Sequence, residues 1–145
     1  MKSLIMIGAL LGIGLLAGCS SAPPPVYDYD QLADFSKYRS FDWLPVQESS
    51  DAYLTDRLKR AVVMNLTARG YLQGGAPPTL FISVKAGGAD APEALVLTMV
   101  DGDTKRRLWE GSMGFVPPQG ASPNDMDKAC QKAVGALLVN FPPPK

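Results

Sequence analysis

Two apolar stripes at helical spacing constrain this chain more than any other feature. Leu54, Leu58, Ala61, Val62 and Leu66 recur every three or four residues, and so do Met126, Cys130, Ala133, Val134, Leu137 and Leu138. Each stripe marks a helix that must bury one side and wet the other. The first helix is expected after Ser49-Ser50-Asp51, which offers N-cap side chains, and runs to about Arg69 with Gly70 as its C-cap. The second runs from about Pro123 to Asn140, beyond which Pro142-Pro143-Pro144 prevents continuation.

Between the helices the period changes to two. Thr79 to Lys85 alternates, with Leu80, Ile82 and Val84 on one face and Phe81, Ser83 and Lys85 on the other. Ala94 to Val100 and Arg106 to Val116 read as a hairpin turned by Asp101-Gly102-Asp103-Thr104, the returning strand placing Trp109, Met113 and Phe115 together. Val26 to Asp30 and Arg39 to Leu44 read as two further strands, the second carrying Phe41 and Trp43 on one face. The order is ββαβββα. Strands joined by short loops pair antiparallel, and two amphipathic helices need one sheet face to cover. The expected fold is therefore α+β in two layers: a mainly antiparallel sheet of about five strands with both helices on one face.

The start of the chain is built differently. Residues 1–18 have a single charge, Lys2, an apolar run from Leu4 to Leu16, and then small residues, which is the pattern of a secretory signal. The run falls short of the ~20 residues needed to span a bilayer. Leu16-Ala17-Gly18-Cys19 resembles the lipobox of bacterial lipoproteins at all four positions. That resemblance implies a diacylglycerol on the Cys19 thiol, cleavage before Cys19 and acylation of the new amine. One acyl chain anchors marginally and two or more anchor stably. Ser20 follows the cysteine where Asp does not, and resemblance to enterobacterial sorting then points to the outer membrane. Residues 19–25 form the lipidated cysteine and a tether whose Pro23-Pro24-Pro25 favours an extended conformation. The 145 residues less the first 18 leave 127, enough for a single periplasmic domain over 26–145.

The chain contains no histidine, which excludes Ser-His-Asp and Cys-His catalysis as usually built and the common His-rich zinc sites. Cys130 is the one thiol beyond Cys19, so there is no CxxC redox centre. Its place on the apolar stripe makes it a core residue. Without Lys2, 13 basic side chains face 14 acidic ones, which gives no electrostatic footprint for nucleic acid. Asp101-Gly102-Asp103 lacks the later ligands of a calcium loop, with Lys105 and Ser112 where donors are required. Asp28 and Asp30 could act as paired carboxylates, but an exposed polar strand is the simpler reading. Arg106 and Arg107, adjacent on a strand, point to opposite faces and cannot clamp one anion. Asn65 lies on the first stripe and is read as bonded to backbone.

Val26-Tyr27-Asp28-Tyr29-Asp30, followed by Asp34 to Trp43, resembles the opening of the DUF4136 lipoproteins of Gram-negative bacteria. Ala68-Arg69-Gly70-Tyr71, the Leu97 to Val100 strand with Asp101, Leu108-Trp109-Glu110-Gly111 and Asn140-Phe141-Pro142-Pro143 fit in order and spacing. Pro78-Thr79 stands where the family usually has an acidic residue. The family implies a fold and a location but no activity. The expectation is an outer-membrane lipoprotein, facing the periplasm, that is not an enzyme and uses no cofactor or metal. It would act as an envelope interaction or accessory module with a protein or cell-wall partner. The alternative is a carrier of a small apolar ligand held between sheet and helices. Phe81, Ser83, Lys85, Leu108, Glu110 and Ser112, on the sheet face away from the helices, form the candidate partner surface.

Overall fold

A computed structural model describes residues 23–45, 51–87 and 93–143. Its strands are β1 (Val26–Tyr29), β2 (Ser40–Trp43), β3 (Leu72–Gln73), β4 (Leu80–Ala86), β5 (Ala94–Asp101) and β6 (Arg107–Gly114). Its helices are α1 (Ala52–Ala68) and α2 (Pro123–Leu137), the latter followed by a 3-10 turn, Leu138–Asn140. One open sheet holds all six strands in the order β1-β6-β5-β4-β2-β3. The expected α+β layering is what is observed. The strand count is six where about five were expected, because the two-residue β3 is too short for any periodicity to reveal.

The helix ends follow from single residues. Asp51 caps α1 by accepting from the Leu54 N–H at 2.9 Å. At the other end Gly70 takes φ +88°, a conformation glycine enters without penalty. The Gly70 N–H then reaches the Thr67 carbonyl and the Tyr71 N–H reaches the Leu66 carbonyl, both at 3.0 Å, closing a Schellman motif. Ser122 caps α2 through the Asp125 N–H, and Pro123 opens the helix where no N–H is needed. Asn65, half-buried, donates to the Ala61 carbonyl at 2.9 Å, in line with the backbone-bonded reading.

β4, β5 and β6 form the expected antiparallel meander, with Ile82 opposite Met99 and Met99 opposite Trp109. β2 instead runs parallel to β4, with Phe41 opposite Leu80, and parallel to β3 on its other side. Parallel neighbours need a crossover, and α1 supplies it. β1 returns to the far edge, antiparallel to β6, with Val26 opposite Ser112.

The two helices lie side by side and parallel. Arg57, near the start of α1, donates to the Pro123 carbonyl and the Asp127 carboxylate at the start of α2. Gln131 approaches Met64 midway. Arg69, just past α1, donates to the Leu138 and Phe141 carbonyls just past α2. Beneath them Leu80, Ile82, Leu95, Leu97, Met99 and Trp109 are fully buried against Leu58, Val62, Leu66, Val134 and Leu137. Each such side chain contributes ~1.5–3 kcal/mol over its exposed state. Cys130 is fully buried among them, and burial raises its thiol pKa. Phe141 gathers the aromatics at one end of this layer. Its ring meets Trp109 edge-on at 5.5 Å, Phe35 at 5.9 Å and Tyr71 at 5.7 Å.

Candidate functional site

The register places the candidate surface residue by residue. On the sheet face away from the helices, Phe81 lies opposite Val100, Ser83 opposite Thr98 and Lys85 opposite Val96. Thr98 in turn faces Glu110, and Val96 faces Ser112. Glu110 and Ser112 are continued by Asp28 and Val26 on β1. Phe81, Ser83, Lys85, Glu110 and Ser112 therefore share one face, as expected. Ser83 is only 9% exposed, a short side chain flanked along its strand by Phe81 and Lys85.

Leu108 does not belong to this surface, which corrects the expectation from strict alternation. The β5–β6 register slips between Met99 and Val100, so Val100 pairs with Arg107 and Leu108 becomes the extra residue of a bulge. The bulge turns Leu108 into the core, where it is 1% exposed, and brings Arg107 onto the open face in its place. Arg107 there bonds Asp28 at 2.7 Å and Glu110 at 3.3 Å, and Thr98 donates to Glu110 at 3.1 Å. Lys105 rests over the Phe81 ring at 3.9 Å. The open face is thus a band of paired charges and hydroxyls with Val26, Val96, Val100 and Phe81 among them.

The other candidates resolve into structural roles. Asp30 bonds Arg106 at 2.7 Å and accepts from the Leu32 N–H, while Asp28 bonds Arg107, so each aspartate has its own arginine and neither arginine pair shares an anion. Asp101 accepts from the Asp103 and Thr104 N–H groups and from the Tyr38 hydroxyl at 2.8 Å. The Thr104 N–H, followed by the Tyr38 hydroxyl, draws the Asp101 pKa down to about 2. Burial, then the Asp101 contact, pushes Tyr38 up to about 12. The turn carboxylate is therefore used up in holding the hairpin to the segment before β2. Among the described residues no group of three or more His, Cys, Asp or Glu side chains could hold a metal. No helix among them is long and apolar enough to cross a membrane. Leu16, Ala17, Gly18 and Cys19 lie outside the described residues.

A concave space escaped the reading of the sequence. It opens at the end of the sheet where β1 stops, and it encloses ≈ 860 Å³. The segment from Tyr29 to Ser36 forms one wall; Arg39, Tyr71, Pro142 and Pro143 form the other. These residues come from four separate parts of the chain, so no local pattern signals them. The layer between sheet and helices, where an apolar ligand was expected in the carrier alternative, is instead occupied by the buried side chains of the core.

Similarity to solved structures is at the level of fold. A PDZ domain protein from Parabacteroides distasonis matches with a TM-score of 0.61 and 14% identity over 84% of this chain. The chain spans 36% of that protein's length. The PelC dodecamer from Paraburkholderia phytofirmans matches with a TM-score of 0.50 and 12% identity, covering 79% of this chain and 98% of that one. No curated protein sequence matches the chain. The family model of DUF4136, a domain of unknown function, matches residues 25–94, from the residue before β1 through α1 and β4 to the first residue of β5. The motifs at 97–101, 108–111 and 140–143 lie beyond the matched stretch. The resemblance to DUF4136 read from the sequence is thereby borne out over residues 25–94.

Proposed function

We propose that this protein is an outer-membrane lipoprotein whose periplasmic domain is a non-catalytic interaction module of the cell envelope. The observation that carries the reading is Leu16-Ala17-Gly18-Cys19 at the end of an apolar run, seven residues before β1 begins. At ~3.3–3.6 Å per extended residue, those seven residues span at most ~25 Å. A lipid on Cys19 would hold the Val26 end of the sheet close to the bilayer. The non-catalytic part is supported by the absence of histidine from the sequence and by the pairing of Asp28 and Asp30 with separate arginines. The contact surface is the open sheet face, where Lys85 and Ser112 stand beside scattered apolar side chains, a composition that suits a non-obligate interface.

In-cell photo-crosslinking combined with fractionation tests this. A crosslinker at Lys85 or Ser112 is expected to capture a defined envelope partner from the outer-membrane fraction. The same crosslinker at Lys132, exposed on α2, is expected to capture far less. Cys19→Ser should remove the protein from the membrane fraction and abolish the capture. Membrane retention of Cys19→Ser would refute the anchor, and equal capture at all three sites would refute the surface.

A further inference from the structure

The cleft at the end of β1 carries two polar groups that the fold leaves unused. Its carboxylates are occupied: Asp30 holds Arg106 and the Leu32 N–H, and Asp34 accepts from the Ser36 N–H and hydroxyl. Its cation is not. Arg39 is exposed on the cleft wall and forms no ion pair among the described residues. Beside it, Tyr71 is 94% buried, being 6% exposed, yet its hydroxyl has no hydrogen-bond partner among the described residues. The hydroxyl is not among the fully buried unpaired side-chain atoms, Arg57 Nε and Trp109 Nε1, so the ring is packed in the core while its polar end opens on the cleft. Burial raises the Tyr71 pKa while the Arg39 and Arg69 guanidinium charges pull against it, so both cations lie near a hydroxyl that stays protonated at neutral pH. A protonated hydroxyl donates, and a guanidinium only donates. The pair is therefore complementary to an acceptor that carries negative charge.

The remainder of the cleft is apolar. Phe35 and Pro142 line it, and Leu32 stands at its rim 92% exposed, a level of exposure that leaves nearly all of a leucine in water. The volume, ≈ 860 Å³, lies within the ~300–1,000 Å³ usual for small-molecule sites. We propose that this cleft binds a small carboxylate with an apolar body, the carboxylate on Arg39 and the Tyr71 hydroxyl and the body against Phe35, Leu32 and Pro142. The site differs from the open sheet face and does not depend on the anchor.

The test uses the full chain in phosphatidylcholine nanodiscs and isothermal titration calorimetry with 4-phenylbutyrate, whose apolar body and single carboxylate match the two halves of the cleft. Binding in roughly the millimolar range or tighter is expected. 4-Phenylbutanol, the same body without the charge, should bind about 3- to 10-fold more weakly, and so should 4-phenylbutyrate to Arg39→Gln and to Tyr71→Phe. Thermal melting of both variants should match the parent, since neither substitution removes a partnered group. No heat of binding to the parent, equal affinity for the alcohol, or unchanged affinity in both variants would each overturn the proposal.

Discussion

Gly111→Ala adds one methyl group to a strand and should destabilise the domain. In the ordinary case alanine improves on glycine in a strand, because glycine loses more freedom on folding and packs nothing. Here the added Cβ would lie 2.5 Å from Trp109 Cη2, 3.0 Å from Cζ2 and 3.2 Å from Cζ3. The indole lies across Gly111 on the core face and cannot move aside. It is fully buried, with Tyr27 at 5.8 Å and Phe141 at 5.5 Å on its other sides. Overpacking of this kind costs ~1–3 kcal/mol. A loss of ~2 kcal/mol corresponds to a drop of roughly 6–12 °C in melting temperature for a domain of this size. Urea and thermal unfolding of residues 20–145 measure it. The three crowded atoms all belong to the six-membered ring of the indole, which gives the control. In a Trp109→Phe background, which withdraws that ring, Gly111→Ala should cost less than about 0.5 kcal/mol, and the two changes should couple in a double-mutant cycle. Equal or higher stability of Gly111→Ala in the parent, or the same cost in both backgrounds, would refute the account.

Cys130 should react with thiol reagents only as fast as the native domain opens, because the side chain is fully buried and burial raises its pKa; labelling in step with a model thiol would place it at the surface. Asp101 should make stability depend on acid: its pKa is about 2 in the fold against the ordinary 3.8, so the stabilisation is complete above about pH 4 and is lost as pH falls through 2. Asp101→Asn should therefore flatten the stability profile between pH 4 and pH 2, as read from urea midpoints, and an unchanged slope would contradict the sign of that shift.

Much of this architecture can be read from local patterns, and what cannot is non-local. Asp51 and Gly70 announce the ends of α1 and Pro123 the start of α2, because helix ends are a matter of a few adjacent residues. The meander β4–β5–β6 follows from alternation and short connections. Alternation carries no information about which strands meet, so the parallel β2–β4 pair and the edge position of β1 come only from the structure. Leu108 shows a different limit. A one-residue bulge reverses the inside–outside assignment, and the sequence around Arg107 to Trp109 contains no glycine or proline to mark it. Phe81, Ser83 and Lys85 keep their alternation because β4 pairs with β5 without a slip, and Glu110 and Ser112 keep theirs because they lie past the bulge. Arg39 and Tyr71 gave no signal, since each is unremarkable until the chain brings them to one cleft.

The edge position of β1 also sets how the domain bears load. The chain enters β1 at Val26, and β1 is held to β6 by hydrogen bonds that run across the strands. A pull on the residues before Val26 directed away from the sheet along the strand axis would load those bonds together, in shear. A pull sideways would break them one after another, starting at Val26 opposite Ser112. Held at its N-terminal end and drawn from the end where Tyr29 lies, the domain would be loaded in its mechanically stronger direction. Beyond Tyr29 the Asp30–Arg106 ion pair and the Asp30 N–H bond to the Leu108 carbonyl extend the fastening past the strand itself.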